Sequence, residues 1–260
     1  MIDEAPLWLI CILLMVAMGL AYEGGLRLHG RLRTRADAPG SDSSDESYIL
    51  SGVFGLLALL MAFSFSLALD RYEERRALVV SEANAIGTLA ARLTLLPETN
   101  RRALENDLAR YAQARVVVGR TTDPARSAVA LAQVEALHDQ LGSHLYAMLS
   151  TGPIDARTTL LVQAFDVAGD IARERRAARA ARLPLPVLAL LALYSVVGAA
   201  MLGYTLAGSP AKHRLAAGVF FVLLTVAFIT ILDLDRPRGG AIIVPQTELE
   251  RVATSLATGQ

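Results

Sequence analysis

The chain has 260 residues, 53% of them hydrophobic and only 19% charged, with a mean hydropathy of +0.42. Soluble domains carry about a quarter charged residues, and here the deficit falls in four long apolar stretches, which excludes a soluble enzyme, a secreted disulfide scaffold and a disordered chain. The 25 basic and 25 acidic residues cancel, leaving no basic excess for nucleic acid, and the single cysteine, Cys11, lies inside an apolar run and has no internal partner.

The first predicted span covers Leu7–Tyr22, close to the short limit for a crossing helix. A cleaved signal peptide is the competing reading. The segment before it, MIDEAP, carries Asp3 and Glu4 where a signal peptide carries basic residues, so a retained anchor is expected. Residues 23–48 read as a loop, basic at first (Arg27, Arg31, Arg33, Arg35) and ending in the solvated, disorder-prone ADAPGSDSSDES. The second span, Ile49–Leu69, is long enough for the hydrocarbon core. Leu56, Leu59, Leu60, Phe63 and Leu67 share one side of it, with Leu59 and Gly55 in register one and two turns before Phe63. Such a face can lie against lipid or a neighbouring helix. In an oligomer it would instead form a ring of apolar side chains, a constriction that gates by dewetting. The charges that follow, Asp70, Arg71, Tyr72, Glu73, Glu74, Arg75 and Arg76, fall at the membrane boundary, where arginines anchor to lipid phosphates or, in a ring, set the potential at a pore mouth.

Residues 70–182 form the one sizeable polar region and read as helical throughout. The second span can continue unbroken to Pro97, with Tyr72, Val79, Ala83, Ile86, Ala90 and Leu93 on one stripe. A helix after Pro97 presents Leu104, Leu108, Tyr111 and Val118. After the break at TTDPAR another presents Val134, Leu137, Leu141, Leu145 and Met148. After Gly152-Pro153 a fourth presents Leu161, Phe165, Ala168 and Ala172, then runs through RERRAARAAR to Pro184. Each has one apolar face to bury against the others or another subunit. The many acidic and basic residues alternate, the pattern of a solvated helix face.

The third span (Leu185–Ala207) and the fourth (Leu215–Leu234) are joined by GSPAKHR into a hairpin. Ser195, Ala199, Gly203 and Ala207 repeat every four residues on the third span, a stripe of small side chains expected to form a helix-packing face. After the fourth span comes LDLDRPRGG, carrying Asp235, Arg236, Pro237 and Gly239.

The expected architecture is all-α: a four-span membrane protein with a helical cytoplasmic region between spans 2 and 3. Residues 1–69 form the first helix pair with an extracytoplasmic loop at 23–48, residues 70–182 the cytoplasmic region, 183–234 the second hairpin and 235–260 a cytoplasmic tail. Basic residues near span ends set the orientation. With residues 70–182 inside, ten lie inside (Arg71, Arg75, Arg76, Arg173, Arg175, Arg176, Arg179, Arg182, Arg236, Arg238) against six outside (Arg27, Arg31, Arg33, Arg35, Lys212, Arg214). Both termini are then cytoplasmic, although the first span taken alone prefers the opposite orientation.

No chemistry-bearing motif stands out. His29, His138, His144 and His213 include no pair at helical ligand spacing, and there is no P-loop, dinucleotide fingerprint or GxSxG. No enzyme, metal or cofactor is expected.

Two stretches nonetheless carry a resemblance. Ala62-Phe63, then Asp70-Arg71-Tyr72, then Arg75-Arg76, followed by Glu82-Ala83-Asn84-Ala85-Ile86-Gly87-Thr88, resemble the bestrophin-like family of bacterial membrane proteins, as do Asp233-Leu234-Asp235-Arg236-Pro237 and Gly239-Gly240. More distantly they resemble the bacterial bestrophin channels. The resemblance implies an oligomer, five copies by analogy, in a bacterial inner membrane, with the second spans lining a central pore. Leu59 and Phe63 would form its apolar neck, Gly55 its upper end, and Asp70, Arg71, Tyr72, Arg75 and Arg76 its charged mouth. The implied partners are inorganic ions, membrane lipids and further copies of the chain. Gly55 stands where a bulky apolar residue is expected, Glu73 where a second aromatic is, and Arg238 where a Phe is common. No counterpart of a calcium cluster is present. Ion sign stays open, because Glu73, Glu74 and Glu82 lie among the arginines. The alternative is a non-conducting membrane scaffold or sensor whose helical region binds a ligand or partner.

Overall fold

Every regular element in the computed structural model is helical. The structure describes residues 6–33, 43–151, 155–208, 210–237 and 239–258. In chain order the helices are α1 (Leu7–Arg33), α2 (Ser43–Leu93), α3 (Glu98–Arg120), α4 (Pro124–Thr151), α5 (Ala156–Ala180), α6 (Leu185–Thr205), α7 (Pro210–Asp235) and α8 (Thr247–Thr258), with one 3-10 turn at Leu206–Gly208. No strand occurs among the described residues. Four of the helical segments are long and apolar enough to cross a membrane, and the protein is an all-α membrane protein.

Two boundaries differ from the hydropathy reading. The helix of the first span continues to Arg33, and α2 already starts at Ser43, so much of the expected 23–48 loop is helical. The apolar stretch marks where a helix meets lipid, whereas the helix ends where its backbone hydrogen bonding ends. The ADAPG portion of that loop, the Gly152-Pro153 break and Arg238 lie outside the described residues.

The chain divides into two compact units. The first comprises residues 1–70, 182–236 and 240–242, and the second residues 71–181, 237–239 and 243–260.

In the first unit α1 packs along α6 and α7. The approach to α6 is close because it lacks side-chain bulk. A Cβ at Gly203 would lie 2.1 Å from the Tyr22 carbonyl oxygen, and one at Gly25 would lie 2.0 Å from that of Ala200. Backbone thus meets backbone at two adjacent levels, the packing that small residues permit where water-driven burial is absent. Edge-on aromatic pairs fill the neighbouring layer: Tyr22 with Phe221 at 5.8 Å and Phe54 with Phe220 at 5.0 Å between ring centroids. The hydroxyls of Ser64 and Ser195 donate to the carbonyls of Leu60 and Leu191, one turn earlier, so neither polar group is left bare in the apolar layer.

The second unit is a helical bundle around Ile86, Leu93, Leu108, Val118, Leu145 and Leu161. Local chemistry sets its breaks. The Asp123 carboxylate accepts from the amides of Ala125 and Arg126 as α4 begins, with Pro124 at its first position. Asp155 and Thr158 form a reciprocal capping box at the start of α5. The C-terminal helix α8, which the sequence reading treated as plain tail, adds Leu249 and Ala253 to this core.

Candidate pore-lining face and the charged cluster of the second unit

Along α2, Leu57, Met61, Ser64 and Ala68 are buried within the first unit. The opposite face is bare. Phe63 is 65% exposed and Leu59 51%, with Gly55, Leu56 and Leu67 beside them also exposed. Among the described residues, the helix therefore presents three turns of uncovered apolar surface, bearing the three residues considered for a neck.

The charged residues that follow separate into two groups. Asp70, Glu73, Glu74 and Arg76 are exposed, and Arg76 pairs with Glu73 at 3.7 Å. Arg71 is half-buried. Tyr72 packs against the core of the second unit, and Arg75 is only 3% exposed. Arg75 therefore departs from the expectation of a lipid anchor or pore-mouth charge, because its side chain is taken up by the bundle instead of being presented to solvent. Helical spacing explains the split: Tyr72, Arg75, Val79 and Glu82 follow one stripe at three- and four-residue steps.

Glu82 stands at the end of that stripe and is fully buried. One carboxylate oxygen accepts from Arg115 of α3, the other from Arg175 of α5. Arg175 also donates to the side-chain oxygen of Gln246, whose amide nitrogen donates to the Val244 carbonyl at 2.9 Å. Three helices of the second unit are thus joined through one carboxylate, and Arg175 ties in the segment before α8. Burial alone would push the Glu82 pKa up, but the two guanidiniums outweigh it and hold the carboxyl below its ordinary value. Arg115 is lowered by burial but raised overall by the Glu82 carboxylate. Arg175 is held below its ordinary value by burial, with Arg115 adding to the effect. Tyr111, beside them, is pushed up to about 12, by burial first.

This overturns the solvated-face reading for these residues. Glu82, Arg115 and Arg175 are an internal ion cluster. Asp107 is a second exception: its buried carboxylate receives Gln140 at 3.0 Å and His144 at 2.5 Å. His138 sits apart, stacked on Phe165 with ring centroids 4.7 Å apart. Among the described residues no group of three or more His, Cys, Asp or Glu side chains could hold a metal.

The small-residue stripe of α6 lies inward. Ser195 and Ala199 are fully buried and Gly203 meets α1 directly, while Ala207 falls in the 3-10 turn and is half-buried. At the end of α7, Asp233 accepts from the amides of Ala241 and Ile242 at 3.0–3.1 Å, and Asp235 accepts from the Leu183 amide at 2.9 Å. The Asp235 carbonyl accepts from Arg182, also at 2.9 Å. Asp235 and Arg236 are buried, Pro237 is half-buried and Gly239 exposed. The residue under constraint is the next glycine, since a Cβ at Gly240 would fall 1.2 Å from Asp233 Oδ1. Asp233 and Asp235 therefore clasp the Ala241-Ile242 backbone and the entry to α6.

Four apolar helices and a separate helical bundle built around a buried Glu–Arg cluster define a helical membrane protein of two-unit plan. The Bestrophin-like domain matches residues 32–249, so the chain belongs to the bestrophin-like family. Crystal structures of a bacterial bestrophin homologue from Klebsiella pneumoniae share its fold. A tryptophan-to-alanine variant is 16% identical with a TM-score of 0.75, covering 99% of this chain and 100% of that one. A tyrosine-to-alanine variant is 17% identical with a TM-score of 0.71, covering 96% and 99%. A form solved by zinc anomalous phasing is 18% identical with a TM-score of 0.69, covering 96% and 97%. No curated protein matches the sequence.

Proposed function

We propose that this chain is the protomer of an oligomeric ion channel of a bacterial inner membrane, with α2 lining the conduction path. The observation that carries the reading is the uncovered apolar face of Gly55, Leu59 and Phe63 in a chain of the bestrophin-like family. In a ring of copies, five by analogy with bestrophin channels, Leu59 and Phe63 would make successive apolar collars. Such collars exclude water and ions until widened. Gly55 would leave the neck open at one end. The basic-residue tally supports placing residues 70–182 and both termini in the cytoplasm.

The exposure pattern also bears on ion sign. The accessible charges following the span are Asp70, Glu73 and Glu74 against Arg76 and the half-buried Arg71, with Arg75 withdrawn into the bundle. Repeated around a ring, that balance favours cations near the mouth.

Reconstitution of the wild type and Phe63→Ala in liposomes tests the reading. Low flux in the wild type, several-fold higher in the variant and larger for cations than anions, is the expected result. If both proteins reconstitute as intact oligomers and neither conducts, the pore is refuted and a membrane scaffold or sensor takes its place. Alkaline phosphatase activity of a reporter fused at residue 120 would refute the topology.

A further inference from the structure

A cleft of about 280 Å³ opens on the second unit between α3, α4 and α5. Its volume is at the lower end of small-molecule sites, which run from about 300 to 1,000 Å³, and its mouth is open to solvent. Tyr111 and Arg115, one turn apart on α3, form the back wall, and each is only 2% exposed. Of the Arg115 guanidinium only Nε is engaged, by Glu82. The Tyr111 hydroxyl has no hydrogen-bond partner among the described residues. His138 makes a flat side wall. Its ring is stacked on Phe165, and a Cβ at Gly169 would lie 3.0 Å from its Nε2, so the imidazole rests against bare backbone of α5. The rim is neutralised by its own pairs, since Arg173 donates to Asp170 and Arg176 meets Glu135.

We propose that this cleft binds a small organic monocarboxylate, with its carboxylate on the Arg115 Nη groups and the Tyr111 hydroxyl and its body against Val134, His138 and Ala172.

Charge and geometry select that class. Glu82 with Arg115 and Arg175 is a buried cluster of one negative and two positive groups, so it keeps one unit of positive charge. Buried charge is stable when paired. Tyr111 does not supply the missing anion: its hydroxyl is pushed up to about 12, by burial first, and at neutral pH it stays an O–H donor. The two Nη groups of Arg115 present a planar edge that matches the two oxygens of a carboxylate, and the Tyr111 hydroxyl adds a further donor. One unit of excess charge matches a monoanion. Only the carboxylate end meets the buried wall, and the far end of the ligand faces the open mouth. The site belongs to the second unit alone and is independent of whether the protein conducts.

The test uses the full chain in detergent at constant ionic strength. Benzoate is the probe, benzamide its uncharged analogue and sulfate an inorganic anion. Benzoate at a hundredfold excess over its dissociation constant should raise the melting temperature by about 5–10 °C, and neither benzamide nor sulfate should move it. Tyr111→Phe removes only the unpartnered hydroxyl, so it should melt with the wild type and bind benzoate about tenfold more weakly. Ala172→Leu, which fills the cleft, should abolish the response. Crystals of the wild type grown with 4-bromobenzoate should show the bromine anomalous peak in the cleft and the carboxylate against Arg115. That measurement decides the question even if a variant fails to fold. An equal response to benzamide or sulfate, a benzoate response unchanged in both folded variants, or a cleft without the bromine would each overturn the site.

Discussion

Replacing Glu82 by Gln isolates the buried charge cluster. The substitution keeps shape and volume but removes the carboxylate that Arg115 and Arg175 share. All three side chains are at most 3% exposed, so water cannot take over the lost interaction. Breaking a buried pair while leaving its partner charged costs about 3–5 kcal/mol. An exposed pair such as Arg102 with Glu98 contributes only about 0–1 kcal/mol. For a chain of this size the larger figure corresponds to a melting temperature lower by on the order of 10 °C. The assay is thermal unfolding of the full chain in detergent, followed by size-exclusion chromatography across a range of pH. The pH dependence has a definite sign. Glu82 in the folded state lies below its ordinary value of 4.5, so its contribution is complete above that pH and is lost as pH falls through the folded value. The wild type should therefore lose this contribution only in acid, and Glu82→Gln should lack that part of the acid sensitivity. Glu82→Leu combined with Arg115→Met and Arg175→Met should recover most of the stability, since a buried ion triad can be replaced by packed apolar groups. A Glu82→Gln protein that melts with the wild type at neutral pH would refute the reasoning.

Other substitutions probe other parts of the fold. Gly203→Leu should force α1 and α6 apart and abolish recovery of folded protein from membranes, whereas Gly19→Ala, whose Cβ would meet nothing within 4 Å, should be neutral. Asp235→Ala leaves the buried Leu183 amide without its acceptor and should cost about 1–3 kcal/mol in thermal unfolding. Leu249→Ala, in a fully buried site of α8, should cost about 2–5 kcal/mol and speed proteolysis of the second unit. Glu73→Gln with Glu74→Gln should shift the reversal potential of reconstituted protein toward anion permeation, and an unchanged potential would count against an acidic mouth.

The parts of the fold that were legible share one property: they depend on neighbours along the chain. The four apolar stretches, the three- and four-residue stripes of α2 to α5, and the break at TTDPAR each announce an element or its end within a few positions of itself. The α8 helix was equally readable. Leu249, Val252, Ala253 and Leu256 repeat at three- and four-residue steps, and the first turn is acidic. Its shortness beside the long apolar spans hid it. Helix ends were less legible, because α1 and α2 run past the apolar segments on polar residues with good helix propensity.

The buried charges were not legible at all, and the reason is geometric. Glu82 lies 33 residues from Arg115 and 93 from Arg175. Within α5, Arg173, Arg175, Arg176 and Arg179 are chemically alike, yet Arg173 bonds to Asp170 on the surface, Arg176 meets the exposed Glu135 and Arg175 is buried. Only helical phase separates them, and α5 is so rich in alanine that its phase is weakly marked. The same ambiguity governs α2. Arg75 and Arg76 are adjacent and equally basic, but the phase set by Val79, Ala83 and Ile86 turns Arg75 inward and leaves Arg76 exposed. Once that phase is known, the balance of accessible charge following the second span becomes acidic where the residue count alone left it mixed. Carrying the same phase back along the continuous helix separates Leu57 and Met61, which are buried, from Leu59 and Phe63, which are bare. A single rotation of one helix thus decides which arginine the bundle holds and which apolar face is left for a neighbour.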